Sequence, residues 1–600
     1  MEHGLLILVI LVIYLLFMLF LGFYFKSRVN TFSDFILGAR GLPWFVIAMT
    51  MLATLANAQQ TLGIAGTSYN TGLSAMIWFF LLVNVFIYPI LIRLGSRYRY
   101  LNFSTIVDLG EARFPNSARM TILLSVWQVA WGIVSTAICI FGGALVIETI
   151  FDVPMEVATV IVAVITVVYC VMGGLNGVVF TDLIQWLIII AGTAFLVPAV
   201  FIKYGSFTGF FSNLLGTTGM EPVAGTTLWA GFTDLFTLAP GVTVLGLIAM
   251  GIAGSLWIPI DLGFMQRMLA AKTLKDGRKA CMGFVVIVTL WASIMVIMGL
   301  YAQALFPGVL NTDTVIILMA DAALPALGTA IFVTAIAAAV MSTVSTYLNA
   351  ASAILTKNIY KRFIRKDADD RQMIRVARIC VVLVAVAAMA FAPMIRGGGV
   401  FATAITAQMV MCASLTPLIL LATYWRRMSE KAAFWGCIVS GVVTLGLIIN
   451  AGGGSAVFNG AGIGGIPAVF IGLAISLVIY IGISLATPYD RSKVGPDFLA
   501  LFESKEKADK TSNKDILVIG IGVAVVLIAI LVRKFGGGAP TSWPPLGGFG
   551  AVLTNGFFLL AGVAILIICI YILIRSVKWV RSLKKGDAPE EEPTEPSKKA

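Results

Sequence analysis

The stretch ATLANAQQTLGIAG, residues 53–66, interrupts an apolar segment that otherwise has the length of a membrane span. It combines the amides of Asn57, Gln59 and Gln60 with two glycines, Gly63 and Gly66. Glycine weakens a helix. Backbone groups freed by a break within a bilayer persist only where they line a cavity enclosed by protein, because lipid offers them no hydrogen bonds. The stretch therefore predicts a discontinuous membrane helix over residues 43–69.

A second interruption, MGIAGSLWIPIDLG at residues 250–263, lies five spans further along the chain. It contains Gly251, Gly254 and Pro259, and proline removes a backbone donor from a helix. Five is odd, so a repeat unit of five helices must be inverted relative to its partner. Inverted repeats with interrupted helices at matched positions indicate a transporter binding site. Small residues also permit close helix packing, but two matched interruptions favour the site.

The composition is that of a membrane protein. Hydrophobic residues make up 59% of the 600 residues and charged residues 12%, whereas about 25% of an ordinary globular protein is charged. We predict an all-α polytopic membrane protein of about fifteen transmembrane helices. The predicted spans are 5–25, 43–69, 73–94, 120–149, 154–173, 179–202, 236–262, 281–305, 325–356, 374–394, 399–424, 431–450, 463–487, 515–532 and 554–575.

The basic residues predict the orientation. Of the 41 Lys and Arg residues, only Lys203, Arg396, Arg533 and Lys534 fall in segments that follow even-numbered spans. Because Lys and Arg concentrate in cytoplasmic loops, we expect the N-terminus outside and the C-terminus in the cytoplasm. This assignment puts Arg267 in a cytoplasmic segment. The net charge of +12 then faces anionic lipid headgroups rather than nucleic acid.

The sequence contains no enzyme-like constellation. His3 is the only histidine, and the seven cysteines form no CxxC or Cys/His cluster. Neither a disulfide framework nor a zinc site is indicated. We expect a protein of the plasma or inner membrane that is not an enzyme, and no obligate protein partner is evident.

Polar residues of the ninth span suggest an ion site. Four small residues allow a neighbouring backbone to approach, and four hydroxyls follow them: Ala335, Ala337, Ala338 and Ala339, then Ser342, Thr343, Ser345 and Thr346. With carbonyls released near Ala53 and Ala56, these hydroxyls would supply hard oxygen ligands for Na⁺. Ser and Thr alternatively bond back to their own helix. Asp182 in the sixth span is a functional candidate because a carboxylate inside a membrane is expensive. Asp234 and Asp261 are weaker candidates.

Four motifs in order along the chain resemble the sodium:solute symporter family, which includes sodium–glucose and sodium–proline transporters. They are DFILGARGLPW (34–44), GGLNGVVFTDLIQ (173–185), QRMLAAKTLKDGRKA (266–280) and AAAVMSTVSTYLNAASAILTKNIYKRF (337–363). The resemblance implies a LeuT-type fold with two inverted five-helix repeats. It divides the chain into an extra helix (1–42), the first repeat (43–202), an extracellular loop (203–235), the second repeat (236–424), accessory helices (425–575) and a disordered cytoplasmic tail (576–600).

The resemblance also implies the sodium ligands. The primary site would comprise the carbonyls of Ala53, Ala56 and Ala339 with the hydroxyls of Ser342 and Thr343. Family members that bind a second sodium ion are similar to this chain in combining Asp182 with Ser342, Ser345 and Thr346. All of these residues are present, so the resemblance implies two Na⁺ per transport cycle.

For the substrate, the resemblance implies Gln60, Phe79, Trp257 and Gln408. Gln60 matches a substrate-contacting glutamine of the sugar branch, and Trp257 falls near that branch's aromatic inner gate. However, Phe79 stands where the sugar branch has an acidic residue, and an apolar residue near Val288 stands where it has a lysine. Apolar walls leave sugar hydroxyls unpaired, at about 1–3 kcal/mol each. A monocarboxylate, an amino acid or a similar solute is therefore favoured over a sugar.

These observations predict a Na⁺-coupled symporter of a small organic solute that works by alternating access. Two alternatives stay open at this point. One is a proton-coupled or uncoupled carrier of the same fold, with Asp182 as the proton site. The other is a membrane sensor derived from a transporter.

Overall fold

The computed structural model of the chain describes residues 4–26, 31–32, 41–115, 117–205, 243–396, 398–452, 462–463 and 466–503. In these ranges the chain is helical almost throughout. The α-helices are α1 (Gly4–Lys26), α2 (Trp44–Leu55), α3 (Ile64–Tyr100), α4 (Asp108–Arg113), α5 (Ala118–Phe151), α6 (Met155–Ala194), α7 (Leu196–Tyr204), α8 (Val244–Leu256), α9 (Leu262–Leu269), α10 (Leu274–Leu305), α11 (Val315–Ala323), α12 (Ala326–Ile354), α13 (Asp370–Phe391), α14 (Val400–Tyr424), α15 (Glu430–Asn450), α16 (Ala468–Ala486) and α17 (Pro496–Glu503).

Shorter elements connect these helices. Two are π-helical, Gln59–Gly63 and Leu355–Ile364, and four are 3₁₀ turns, namely Ile258–Ile260, Thr312–Thr314, Ala392–Ile395 and Arg491–Lys493. Strands β1 (Gly462–Ile463) and β2 (Ile466–Pro467) pair antiparallel.

The helices agree with the predicted spans. Among the described residues, nine helices are long and apolar enough to cross a membrane, and the bent pair α8–α9 makes ten. Each predicted span up to residue 487 is mainly helical where it is described; the exceptions are the breaks in spans 43–69 and 236–262 and the start of span 463–487, where residues 463 and 466–467 belong to β1 and β2. The spans 515–532 and 554–575, the tail 576–600, Asp234 and most of the loop 203–235 lie outside the described residues. The count of fifteen and the orientation stay predictions.

Both predicted interruptions are present. Helix α2 ends at Leu55, Ala56 leaves the helical conformation with φ −69° and ψ 48°, and the chain resumes as the π-helix that leads into α3. The chain bends by 43° between Leu245–Ile260, which includes the 3₁₀ turn Ile258–Ile260, and α9. Pro259 in this turn has no N–H to continue α8, and the Asp261 side chain caps α9 by accepting from Phe264 N at 2.8 Å.

The glycines of residues 53–66 have a different role from the one their sequence suggested. The break falls at Ala56 and Asn57, before Gly63 and Gly66, which are both helical. A Cβ on Gly63 would lie 2.9 Å from the Phe401 Cβ, and one on Gly66 would lie 2.5 Å from the Thr312 carbonyl oxygen. These glycines therefore allow neighbouring backbones to come close, as the packing alternative predicts, while the amide-containing segment before them forms the break.

Helix α12 lies at the centre of the bundle. It packs against α5, α6 and α1, and α2 packs against α6 and α10. Small residues allow these close approaches: a Cβ on Gly192 of α6 would lie 2.5 Å from the Ala335 Cβ of α12, and one on Gly142 of α5 would lie 2.3 Å from the Ala58 Cβ. The interrupted second span thus packs against both α5 and α12.

The contact of Gly142 predicts a stability effect. Gly142→Ala should lower the apparent melting temperature of the purified protein by several degrees, because overpacking costs about 1–3 kcal/mol. Gly446→Ala is the matched control, since Gly446 is also helical but nothing lies within 4 Å of its ideal Cβ. Gly446→Ala should leave the melting temperature unchanged or raise it, because alanine favours helix. Equal effects of the two substitutions would contradict the close contact at Ala58.

Candidate functional site

The break in the second span frees a backbone carbonyl. In a continuous helix the Asn57 N–H would bond the Ala53 carbonyl, four residues earlier. Instead it bonds the Leu55 carbonyl at 2.7 Å, while Asn57 Oδ1 accepts from Gln60 N at 3.0 Å and so caps the resumed helix. Ala53 is fully buried. Its carbonyl oxygen therefore needs a partner from another element.

Hydroxyls of α12 supply this partner. Ser342 Oγ lies 2.7 Å from the Ala53 oxygen and 2.9 Å from the Ala339 oxygen. Thr343 Oγ1 lies 2.8 Å from the Thr54 oxygen and 3.1 Å from the Ala339 oxygen. Each hydroxyl has one hydrogen to donate, so this cluster of five oxygens has more lone pairs than hydrogens. Such an arrangement suits a hard cation.

The structure brings together four of the five residues predicted for the primary sodium site, namely Ala53, Ala339, Ser342 and Thr343. The fifth, Ala56, lies at the break itself. Among the described residues, the Thr54 carbonyl rather than the Ala56 carbonyl contacts the Thr343 hydroxyl. Sequence reasoning did not select Thr54, although it is the residue after Ala53 on the same final turn of α2.

The residues predicted for the second sodium site surround a buried arginine. Arg267 Nη2 lies 2.8 Å from Asp182 Oδ2, and both side chains are fully buried. The same nitrogen also donates to the Thr346 hydroxyl, and Arg267 Nε donates to Thr50 Oγ1 at 2.8 Å. The Thr50 hydroxyl in turn donates to Asp182 Oδ2. The second carboxylate oxygen, Oδ1, is buried and has no hydrogen-bond partner among the described residues.

Ser342, Ser345 and Thr346 form the other side of this cluster. The Ser345 and Thr346 hydroxyls donate to the Ser342 carbonyl at 2.9 Å and 2.8 Å, and Thr346 Oγ1 lies 3.0 Å from Thr54 Oγ1. The predicted backbonding of Ser and Thr to their own helix therefore occurs together with contacts between helices. The two predicted sodium sites share Ser342 and form one continuous polar cluster between α2 and α12.

The burial of Arg267 corrects the charge-pattern interpretation, which put this residue in a cytoplasmic segment. Arg267 is on α9, which is buried along its whole length. The sequence contains a signal for this: Arg267 follows Phe264 and Met265 and precedes Met268 and Leu269, and such apolar neighbours favour burial. Counting charges between spans could not distinguish a buried guanidinium from a loop cation.

Asp261 is more deeply buried than its position near the end of a predicted span indicated. It is fully buried, and its Oδ2 accepts from Trp131 Nε1 at 2.5 Å and from the Tyr347 hydroxyl at 3.0 Å. The start of α9 is thereby joined to α5 and α12. Side chains of neighbouring helices also bond carbonyls at this interruption: Gln128 donates to Ile260 at 2.8 Å, and Thr416 donates to Leu256 at 3.2 Å.

Three of the four predicted substrate residues, Gln60, Gln408 and Trp257, lie next to the two interruptions. Gln60 is buried, and Gln408 of α14 donates to Gln59 Oε1 at 3.2 Å while its own Oε1 is buried without a partner among the described residues. Trp257, at the turn of the seventh span, is buried with its ring centroid 5.1 Å from that of Trp131. Phe79 belongs to α3, and its side chain lies outside the described residues. Buried amides therefore lie beside the break of the second span, and an aromatic pair lies at the turn of the seventh.

Comparison with known proteins assigns the family. The profile of the sodium:solute symporter family matches residues 35–440, which include the residues of both polar clusters. The chain belongs to the sodium:solute symporter family. It is a membrane transporter and not an enzyme, and Na⁺ is the coupling ion of the family.

Individual relatives agree with this assignment. The chain is 25% identical over 446 residues to the sodium/glucose cotransporter of Vibrio parahaemolyticus, an alignment that covers 69% of this chain and 79% of that protein. It is 27% identical over 435 residues to the sodium/proline symporter of Haemophilus influenzae, covering 70% and 83%. It is 24% identical over 433 residues to the osmoregulated proline transporter OpuE of Bacillus subtilis, covering 71% and 85%.

Solved structures support the fold. A substrate-bound, outward-open Na⁺-coupled sialic acid symporter superposes with a TM-score of 0.65 at 19% identity, covering 80% of this chain and 98% of that one. Mhp1, a nucleobase-cation-symport-1 family transporter in a closed conformation, gives a TM-score of 0.52 at 12% identity, covering 78% and 98%. Both have the LeuT fold, so the predicted LeuT-type fold is confirmed.

The buried ion pair predicts a non-additive stability effect. Asp182→Asn and Arg267→Gln should each destabilise the protein by about 3–5 kcal/mol, because each leaves an unpaired charge in the interior. The double variant should lose less than the sum of the two. The measurement is the apparent melting temperature in sodium-free buffer.

An exposed ion pair provides the control for this measurement. Arg119 and Glu430 are 2.6 Å apart, with 45% and 32% of their side chains exposed. Arg119→Gln should change stability by about 1 kcal/mol at most. Additive losses in the Asp182/Arg267 double variant would show that the two buried charges do not depend on each other.

Proposed function

We propose that this protein couples the entry of Na⁺ to the uptake of a small organic solute by alternating access. The observation that carries the proposal is the contact of the Ser342 and Thr343 hydroxyls with the Ala53 and Thr54 carbonyls at the broken end of α2. At present these oxygens share only the hydroxyl hydrogens of Ser342 and Thr343. A sodium ion in the cluster would instead contact all of the oxygens at once. It would thereby tie α2 to α12 and stabilise one arrangement of the bundle.

The proposed primary site comprises the carbonyls of Ala53, Ala56 and Ala339 and the hydroxyls of Ser342 and Thr343. We add the Thr54 carbonyl as a ligand, because it already contacts the Thr343 hydroxyl at 2.8 Å. Uncharged oxygens suit an ion that must leave again in each cycle, because they provide no fixed counter-charge to hold it. Each sodium ion that moves down a membrane potential of 100 mV provides about 2.3 kcal/mol of free energy to drive solute uptake.

We further propose a second sodium site formed by Asp182, Ser342, Ser345 and Thr346, and hence two Na⁺ per cycle. Support comes from the unpartnered Asp182 Oδ1, because a buried carboxylate oxygen without a donor is costly. In the present structure the Arg267 guanidinium contacts Asp182 and Thr346. We infer that Arg267 acts as a resident cation at this site, and that a second sodium ion binds when the guanidinium moves away.

The proposed solute is a monocarboxylate, an amino acid or a similar molecule, held by Gln60, Gln408, Trp257 and Phe79. Two relatives are named as proline transporters and one as a glucose transporter, so similarity alone does not choose between these substrate classes. The buried Gln408 Oε1 lacks a donor, and an ammonium, imino or hydroxyl group of the solute would supply one. Arg267 is already paired with Asp182, so the amides are the polar groups proposed to meet the solute.

We also propose how the chain is divided into repeats and how it is oriented in the membrane. The inverted repeats would comprise residues 43–202 and 236–424, flanked by the extra helix (1–42), the loop (203–235), the accessory helices (425–575) and the tail (576–600). The N-terminus would be outside and the C-terminus in the cytoplasm. Cysteine labelling of single-cysteine variants at exposed loop positions, with a membrane-impermeant reagent, would test the orientation.

Solute uptake by reconstituted vesicles tests the coupling. A solute library should contain at least one compound whose accumulation requires an inward sodium gradient and stops in choline buffer. Accumulation that is equal in choline and driven by a proton gradient would instead establish the proton-coupled alternative. A solute that binds without being accumulated would favour the sensor.

Removal of primary-site hydroxyls should weaken sodium binding. We expect Ser342→Ala and Thr343→Ala each to raise the sodium concentration for half-maximal uptake by roughly 5-fold to 100-fold, because each removes one ligand worth about 1–3 kcal/mol. Thr334→Ala is a control, since the Thr334 hydroxyl is also on α12 but bonds the Ala330 carbonyl at 2.8 Å within its own helix. Unchanged sodium dependence in the Ser342 and Thr343 variants would refute the primary site.

The second site predicts opposite effects of two substitutions. Asp182→Asn should reduce the Hill coefficient for sodium toward one. Arg267→Gln should increase the rise in melting temperature that sodium produces, because it removes the competing cation and leaves Asp182 to be neutralised by sodium. A wild-type Hill coefficient in Asp182→Asn would eliminate the second site. A sodium effect that Arg267→Gln does not change would refute the competition.

A further inference from the structure

The N-terminal half of α13 presents three arginines to one groove. Arg371, Arg375 and Arg378 have the spacing i, i+4 and i+7, which puts them on one helix face. They line a cavity of about 820 Å³ together with Val171 of α6. Helix α13 begins at Asp370, the last residue of the highly charged segment KRFIRKDADD (361–370). Its first turns therefore lie at the membrane surface, where the headgroups of lipids are found.

These arginines lack a protein counter-charge among the described residues. None of the three takes part in an ion pair or a side-chain hydrogen bond there, and the Nε of Arg378 is buried without an acceptor. The nearby Asp369 caps α13 by accepting from Gln372 N at 2.7 Å. Like charges one helical turn apart repel each other. Three guanidiniums in one groove therefore favour an anion from outside the protein.

Apolar side chains continue the groove past the last arginine. Ile379 and Val382 line it next to and beyond Arg378 and are 53% and 41% exposed, whereas Ile374 lies among the arginines. Val382 is further from the charged start of α13 than any of the three arginines. A free inorganic anion would use only the basic end of such a groove. A molecule with an anionic head and a hydrocarbon chain would fill both parts.

We propose that this groove binds one anionic phospholipid. The phosphate would accept hydrogen bonds from the guanidiniums, whose planar forked geometry matches phosphate oxygens. An acyl chain would lie along Ile379 and Val382. Basic pockets between membrane helices are known to recognise anionic lipid headgroups in this way. The site is separate from the sodium and solute clusters and does not depend on the proposed substrate.

Lipid retention measured on the full-length protein tests this proposal. The protein is reconstituted with phosphatidylcholine or phosphatidylglycerol, extracted in mild detergent and examined by native mass spectrometry. The wild type should retain one phosphatidylglycerol molecule in preference to phosphatidylcholine. The triple variant R371Q/R375Q/R378Q should bind phosphatidylglycerol about 100-fold more weakly, because each basic residue near an anionic surface contributes a factor of about five.

Two further variants make the test specific. K361Q/R365Q/K366Q removes the same number of charges from exposed positions just before α13 and should retain the lipid. R371K/R375K/R378K preserves charge and fold but loses the fork, and should show an intermediate loss. Equal losses in the two glutamine variants, or no preference for phosphatidylglycerol, would overturn the site. Displacement of the lipid by excess inorganic phosphate would assign the arginines to a soluble anion instead.

Discussion

A backbone carbonyl released inside a bilayer has to find another partner, and this constraint explains the centre of the molecule. The break after Leu55 removes the Asn57 N–H from the Ala53 carbonyl. Lipid offers it no hydrogen bond, so the new partners must come from protein, from an ion or from water enclosed by protein. The hydroxyls of Ser342 and Thr343 meet this need. The proximity of α12 to α2 thus gives the freed carbonyl its partners, and the small residues of α12 and α6 allow those two helices to pack closely.

The same polar cluster contains the buried charges of Asp182 and Arg267. Because the two are paired, the interior has no net charge at this point, which lowers the penalty for placing it within a membrane. The pair also joins α6 to α9, so it connects the first half of the bundle with the second. A cation that displaced the guanidinium would act on both halves together. Ion binding and rearrangement of the bundle would then be linked through a single carboxylate.

Much of the fold could be predicted from the sequence, because hydrophobicity over about 20 residues is decisive in a membrane. The two interruptions, the spans up to residue 487 and the convergence of Ala53, Ala339, Ser342 and Thr343 were all predicted. Three features were not. The position of the break depends on the exact hydrogen bonds of Asn57, which composition does not specify. The burial of Arg267 depends on its pairing with a residue 85 positions away, and the roles of Thr50 and Thr54 depend on the same tertiary packing.

Asp261 has a mechanical consequence for the seventh span. It caps α9 and simultaneously binds Trp131 of α5 and Tyr347 of α12. The beginning of α9 is thus anchored to two long helices, whereas α8 is separated from it by the short turn Ile258–Ile260. If the two halves of this span rotate relative to each other, we expect the rotation to occur at this turn. Helix α9 would then move together with α5 and α12 as one rigid unit. Trp257 lies on the α8 side of that turn, with its ring centroid 5.1 Å from that of Trp131 and 5.8 Å from that of Phe264, so a change of angle at the turn would alter these ring contacts.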